Sequence, residues 1–267
     1  MIKLGEVNNL KINRRTDHGF YLISEEDEVL LPNAYIQEEW KEGDFIDVFI
    51  FKDSEDRLTA TTITPKIKLF GFAFLKVVDV NSTGAFLDWG LPKDLFVPFR
   101  EQDGKMKIGE YYPVTMYIDY ESDRLLASNK IDKYLELEDL EELEENQEVD
   151  LFIYKQTDIG YKAVINNLYQ GLLYRNEIFQ PLAVGDEISG YIKKIREDLK
   201  IDLGLRQTGG IQKDKDQETI LNKLELEDGY LGLTDKSSPE EIYEELKMSK
   251  KAFKRAIGGL YKRRIVT

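Results

Sequence analysis

The sequence predicts a mainly β protein, with three five-stranded antiparallel barrels in tandem and a small α/β domain at the C-terminal end. One pattern occurs three times: a glycine opens a short apolar-aromatic strand, and a glycine–acid pair follows 24 or 25 residues later. Repeats of roughly 65 to 75 residues suit small β domains better than solenoids, whose repeats run about 20 to 50. After residue 210, alternating apolar residues give way to apolar residues spaced by three and four. The glycines are Gly19, Gly84 and Gly160, and the pairs are Gly43-Asp44, Gly109-Glu110 and Gly185-Asp186.

Within each repeat, apolar stretches of strand length alternate with charged hairpins. The first barrel is predicted over 1–66 with strands near 29–32 and 45–51, the second over 67–134 with strands near 95–98 and 114–118, and the third over 147–209 with strands near 149–153 and 188–205. We expect the barrels to be arranged as beads with modest contacts.

An acidic segment over 135–146 separates the second and third barrels. Residues 136–150 hold nine acidic side chains and no basic one, with leucines interspersed. The spacing of the leucines favours a short helical linker over a solvated one, with no role beyond spacing and solubility.

The C-terminal residues 210–267 have helical periodicity. Ser238 and Glu241 form a capping-box pattern with a proline in the first turn, and Ser249 is placed to cap a last helix. Two short helices joined by a tight turn, the second of them basic, predict a helix-turn-helix. Arg263 and Arg264 lie where a wing would begin, and a full wing needs another strand, so we expect the wing to be short, missing or trimmed.

Composition limits the classes of function. The chain has no cysteine and no long apolar run, so we expect a cytoplasmic protein without disulfides, thiolate metal sites or membrane contact. The net charge is −14, yet residues 246–267 hold eight basic side chains and no acidic one. The charge is therefore strongly polarised along the chain.

Two segments carry a resemblance to a known domain. The turn at 81–88 resembles the S1 RNA-binding domain, a form of the OB fold, and so does 171–177. Three such barrels followed by a winged helix resemble the conserved virulence factor B family. The resemblance implies a non-catalytic RNA-binding regulator without a cofactor. The chain departs from the S1 pattern because no repeat keeps the histidine of the third strand.

Strand alternation separates core residues from candidate binding residues. Ala85, Leu87 and Trp89 share one face of a strand, so Phe86 points outward. The equivalent outward residues are Tyr21 and Lys162. Outward aromatic rings can stack unpaired bases, and a lysine can meet phosphate. The alternative is that Tyr21 and Phe86 pack against a neighbouring barrel.

The third barrel and the C-terminal helix supply further candidates. Tyr174 is placed to stack a base beside Arg175, and a basic group follows on the next hairpin; the alternative is a solvated strand face. The basic helix is predicted to hold phosphate, and its alternative is a solvated face or a fold-back onto acidic surface. The basic candidates are Lys193, Lys194, Arg196, Lys250, Lys251, Lys254, Arg255, Arg263 and Arg264.

The predicted function is binding of single-stranded RNA by a monomeric expression regulator. The alternatives are a DNA-binding transcription regulator that uses the winged helix, or an adaptor for a ribosomal or other protein partner. Catalysis is not predicted, because the single histidine, His18, lies in a turn beside Gly19 without a nucleophile pattern. No metal site is predicted either. The spacing of the acids matches the first ligands of a calcium-binding loop at Asp119, Glu121 and Asp123. An arginine follows where such a loop needs glycine.

Overall fold

The computed structural model describes residues 1–25, 27–136, 140, 142–206, 210–227, 229–234 and 236–266, without the side chains of 210–215. The chain forms two compact units, Met1–Leu135 and Glu136–Thr267. It is mainly β, with three five-stranded sheets followed by three helices. This confirms the predicted fold class. The described part contains no helix that is long and apolar enough to cross a membrane.

The first and third sheets are closed barrels with the same strand order. The first has the order β1-β2-β3-β5-β4, and the third has β11-β12-β13-β15-β14. The strands are β1 (Val7–Thr16), β2 (Gly19–Ile23), β3 (Glu28–Pro32), β4 (Phe45–Lys52) and β5 (Leu58–Thr61), then β11 (Glu148–Thr157), β12 (Gly160–Ile165), β13 (Tyr169–Tyr174), β14 (Glu187–Ile195) and β15 (Ile201–Gly204).

One pairing in each closed barrel is parallel, although wholly antiparallel barrels were predicted. β4 pairs antiparallel with β1 across the barrel, and β5 then returns antiparallel to β4. Because β5 therefore runs in the same direction as β3, the two close the barrel as a parallel pair. The pairing of β13 with β15 is parallel for the same reason.

The second sheet is more open. Its strands are β6 (Phe72–Val80), β7 (Gly84–Asp88), β8 (Leu95–Pro98), β9 (Tyr111–Asp119) and β10 (Arg124–Ser128). Their order is β10-β9-β6-β7-β8, so β8 and β10 are the two ends of the sheet.

The repeated glycines open the second strand of each sheet. A Cβ atom at Gly19, Gly84 or Gly160 would collide with the backbone carbonyl oxygen of the third strand, at Leu31, Val97 and Leu173 respectively. Glycine is needed because the two backbones approach so closely there.

The repeated glycine–acid pairs form the same turn three times. In each turn, the glycine N–H donates to the backbone carbonyl of one residue in the first strand. The N–H of that first-strand residue donates in return to the backbone carbonyl of the acidic residue. The first strand has a register shift directly after that first-strand residue. The partners are Ile12 with Gly43 and Asp44 (2.8 and 2.8 Å), Val77 with Gly109 and Glu110 (2.9 and 2.9 Å), and Ile153 with Gly185 and Asp186 (2.7 and 2.9 Å).

The first two barrels share a core and are not separate beads. Phe49 and Phe51 of β4 are buried in the core of the second sheet. The ring centroids of Phe49 and Trp89 are 5.8 Å apart in an edge-to-face arrangement. Lys52 also forms an ion pair with Asp123 of the second sheet at 2.6 Å.

The described residues of the acidic segment do not form the predicted helix. Of its residues, 137–139 and 141 lie outside the described part, and the described ones are not helical. Leu140 and Leu143 are buried in the core of the third barrel. The N–H of Asn146 donates to the carbonyl of Ile192 at 2.7 Å. The end of the segment is therefore part of the barrel.

The C-terminal helices have the predicted caps. They are α1 (Gly210–Leu226), α2 (Pro239–Leu246) and α3 (Lys250–Lys262). The Ser238 hydroxyl accepts from the N–H of Glu241 at 3.1 Å, and the Glu241 carboxylate accepts from the N–H of Ser238 at 2.7 Å. Ser249 caps α3 through the N–H of Ala252 at 3.2 Å. Ile220, Ile242 and Phe253 are among the residues of their shared core.

Candidate nucleic-acid interface

The outward faces of the second and third strands have the arrangement that alternation predicted. Ala85 and Leu87 are fully buried and Trp89 is 3% exposed, whereas Phe86 between them is half-buried. Tyr21 and Lys162 are also half-buried at the equivalent positions. The three residues therefore lie on the strand face that OB folds use for oligonucleotides.

In the first barrel, the ring of Tyr21 is covered on one side by an arginine. The Cζ atom of Arg14 lies 3.9 Å from the ring centroid. Arg14 is held there by an ion pair with Glu28 at 2.7 Å. Tyr21 can therefore offer a base only its other face, next to a cation.

In the second sheet, Phe86 is paired with a second aromatic ring. Phe86 and Phe96 are opposite each other in the β7–β8 ladder, with ring centroids 5.0 Å apart. Both rings line a cleft of about 920 Å³ in the first unit. Tyr35 of the first barrel also lines this cleft. Phe86 thus borders the neighbouring barrel and still faces open space.

Two carboxylates next to these rings differ in electrostatic environment. A hydrogen bond from Lys66 lowers the pKa of Asp88 below its usual value, and the N–H of Gly90 lowers it further. Burial raises the pKa of Asp94, and the charges of Asp88 and Asp79 raise it further.

In the third barrel, the candidate basic residues are largely held by neighbours. The guanidinium of Arg196 donates to the Tyr174 hydroxyl at 2.7 Å and forms an ion pair with Asp202 at 2.9 Å. Lys193 forms an ion pair with Glu177 at 2.9 Å. These contacts fix the edge of the Tyr174 ring.

The two remaining candidates of the third barrel are more accessible. Arg175 is exposed and makes a long hydrogen bond of 3.5 Å to the carbonyl of Thr157. Lys194 is also exposed. They are therefore the better placed of the third-barrel cations to meet a phosphate.

The basic residues of the C-terminal domain separate into two groups. Arg255 forms an ion pair at 3.2 Å with Asp216, whose side chain is 3% exposed, and Arg263 donates to Gln217 at 3.0 Å. Both contacts join α3 to α1. Lys250 is half-buried, while Lys251, Lys254 and Arg264 are exposed. Arg255 and Arg263 are exposed too but are engaged, so Lys251, Lys254 and Arg264, which have no ion pair in the described part, are the ones available to a ligand.

Sequence reasoning missed Phe96 and Arg14. Phe96 lies between Leu95 and Val97, which are buried, so the alternation that assigned Phe86 outward also assigns Phe96 outward. Arg14 follows a register shift in β1, which no local pattern predicts.

Comparison with known proteins agrees with this architecture. The S1 domain family matches residues 4–63 and 72–130, and the CvfB-like winged helix domain family matches 218–267. The matched S1 ranges contain the strands of the first and second sheets.

Relatives match most of the chain. The uncharacterized protein YitL of Bacillus subtilis is 29% identical over 97% of this chain and 89% of its own. Conserved virulence factor B of Staphylococcus epidermidis is 28% identical over 86% of this chain and 79% of its own. A multidomain protein with nucleic acid binding domains from Streptococcus pneumoniae is 23% identical, with a TM-score of 0.43 over 97% of this chain and 93% of its own.

The family prediction is confirmed. Residues 4–63 and 72–130 belong to the S1 domain family and residues 218–267 to the CvfB-like winged helix domain family, so the chain has the S1 and winged-helix domains that were predicted from its resemblance to the conserved virulence factor B family.

Proposed function

We propose that the protein binds single-stranded RNA without catalysis and acts as a monomeric regulator of expression in the cytoplasm. The observation that carries the proposal is the half-buried Phe86–Phe96 pair on the outward face of the second sheet. Aromatic rings on such a face stack unpaired bases of any sequence, and each stacked base contributes about 1–3 kcal/mol.

The candidate ring residues of the first and third barrels have similar surroundings. Tyr21 lies under Arg14 and Tyr174 contacts Arg196, so each of these two candidate tyrosines has a cation beside its ring. Arg175, which is exposed beside Tyr174 in the chain, can meet the phosphate next to a stacked base. Lys162, Arg175 and the exposed lysines of α3 complete the proposed set of contacts.

Electrostatic attraction contributes little to this binding. Residues 1–192 carry 20 basic and 37 acidic side chains, and many of the basic ones are in ion pairs. Stacking should therefore supply most of the affinity. Stacking requires unpaired bases, so single strands are favoured over a duplex.

Fluorescence anisotropy with unstructured RNA and with duplex DNA, across a salt series, tests the proposal. We expect tighter binding to RNA and a shallow dependence of log affinity on log salt, equivalent to a few phosphate contacts at about 0.7 each. Tighter binding to duplex DNA at physiological salt would contradict it. That result would favour the second candidate function, DNA binding through Lys251 and Lys254 on α3.

A further inference from the structure

The cleft in the first unit is poorly suited to binding a phosphate group. Its walls include Tyr35 and Phe51 of the first barrel and Phe86 and Phe96 of the second. The cations that line it are already neutralised by acids. Lys52 pairs with Asp123 at 2.6 Å, Lys93 with Asp56 at 3.3 Å, Arg100 with Asp119 at 3.3 Å, and Arg124 with Asp56.

One lining carboxylate differs from the others. Asp53 is held by Arg57 at 2.8 Å, and Asp119 accepts from Ser122 at 2.6 Å. Within the described ranges, Asp94 has no hydrogen-bond donor or cation as a partner. Partial desolvation and the nearby charges of Asp88 and Asp79 raise the pKa of Asp94 even though the side chain is exposed, so these acids repel its negative charge. A ligand that donates a hydrogen bond would relieve this.

The strand register places Asp94 next to the stacking rings. Phe86 is opposite Phe96 and Leu87 is opposite Leu95. Asp94 directly precedes β8, so alternation puts it on the same face as Phe96, two residues away along the chain. Asp94, Phe86 and Phe96 all line the cleft. A base stacked on the rings therefore has its edge near this carboxylate.

The geometry points to a site for one unpaired nucleobase that carries an exocyclic amino group, with cytosine bound in preference to uracil. The base stacks on the Phe86–Phe96 pair, and its amine donates to the Asp94 carboxylate. Carboxylates accept from the cytosine N4 amine in the same way in nucleic-acid recognition. Uracil has a carbonyl oxygen at this position and would place two acceptors face to face. The inference rests on the proposed function.

Anisotropy with short oligo(C) and oligo(U) tests the preference, because the two pyrimidines differ only in the group at C4 and in N3, which accepts in cytosine and donates in uracil. We expect the native chain to bind oligo(C) about tenfold more tightly, as suits one hydrogen bond to a charged acceptor. Asp94→Ala should remove the preference by weakening oligo(C) alone. Asp94→Asn, whose amide can also donate, should bring oligo(U) up towards oligo(C). Unchanged thermal melting of the variants confirms that they fold.

Glu39→Gln is the matched control, because it removes one exposed negative charge outside the cleft. It should leave the ratio of the two affinities unchanged. RNA binding without a preference for oligo(C), or an Asp94→Ala variant that behaves like the control, would overturn the inference and leave the proposed function intact. Absence of RNA binding by the native chain would overturn both.

Discussion

At the scale of single residues, three glycines determine how closely the second and third strands approach. A Cβ atom at Gly19, Gly84 or Gly160 would occupy the space of a carbonyl oxygen in the facing strand. The close approach lies at the first residue pair between the second and third strands. Phe86 and Tyr21 face outward within that strand pairing. The turn glycine that marks each repeat in the sequence therefore has a structural cause.

Gly160→Ala should destabilise the third barrel by roughly 3 kcal/mol, because relief of the overlap requires the two backbones to separate. Urea unfolding followed by circular dichroism measures the loss. Both tryptophans, Trp40 and Trp89, lie in the first unit, so the fluorescence transition should stay unchanged.

Gly258→Ala, in the same unit as Gly160, is a control that should raise the stability instead of lowering it. Gly258 lies inside α3, and a Cβ there meets no atom within 4 Å. Alanine should stabilise the helix by roughly 0.5–1 kcal/mol. A Gly160→Ala variant that is as stable as this control would mean that the close approach is unimportant.

At the scale of elements, α3 has one side that holds the domain together and one side that is available to a ligand. Arg255 forms an ion pair with the buried Asp216, whereas Lys251 and Lys254 are exposed and have no ion pair in the described residues. The sequence predicted all of them as phosphate contacts, because charge counts do not show which side of a helix faces its neighbour. These assignments as RNA contacts remain predictions.

Replacement of both Lys251 and Lys254 with Ser should weaken RNA binding and reduce the salt slope by about 1.4, since each contact contributes roughly 0.7. The melting temperature should not change. Arg255→Ser should instead lower stability by roughly 1–3 kcal/mol, because it removes a partner of a buried acid. If the double variant keeps full RNA affinity, α3 does not contact RNA.

The elements that could be predicted from sequence are those with a local signature. The caps of α2 and α3 and the outward position of Phe86 followed from a few neighbouring residues. The acidic segment was misread because leucines spaced by three suit a helix as well as a chain that enters a barrel core. Leu140 and Leu143 are buried by strands far along the chain, and no local pattern reports that.

At the scale of the whole molecule, the first two barrels were expected to be separate and instead share a core. The signal was present in β4, where the residues from Val48 to Phe51 are all buried. A strand with both faces buried needs a neighbour outside its own barrel. Sequence alone does not show which neighbour this is. Here it is the second sheet, through Trp89.

Trp89→Ala should therefore cost about 3–5 kcal/mol and destabilise both barrels of the first unit together. Thermal melting by circular dichroism measures this. Phe86→Ala, on the other face of the same stretch, should melt close to the native chain but bind RNA about 1–3 kcal/mol less tightly. Equal loss of stability in the two variants would show that Phe86 serves packing rather than stacking.

The shared core also limits how this chain can be rearranged by recombination. Phe49 and Phe51 belong to the first barrel by sequence and to the second by packing. A transfer of the first barrel alone into another protein would carry both rings to its surface, and exposed apolar patches promote association. The described core residues of the third barrel all come from 140–205. The units that recombination could transfer intact are therefore the first two barrels as a pair and the third barrel on its own.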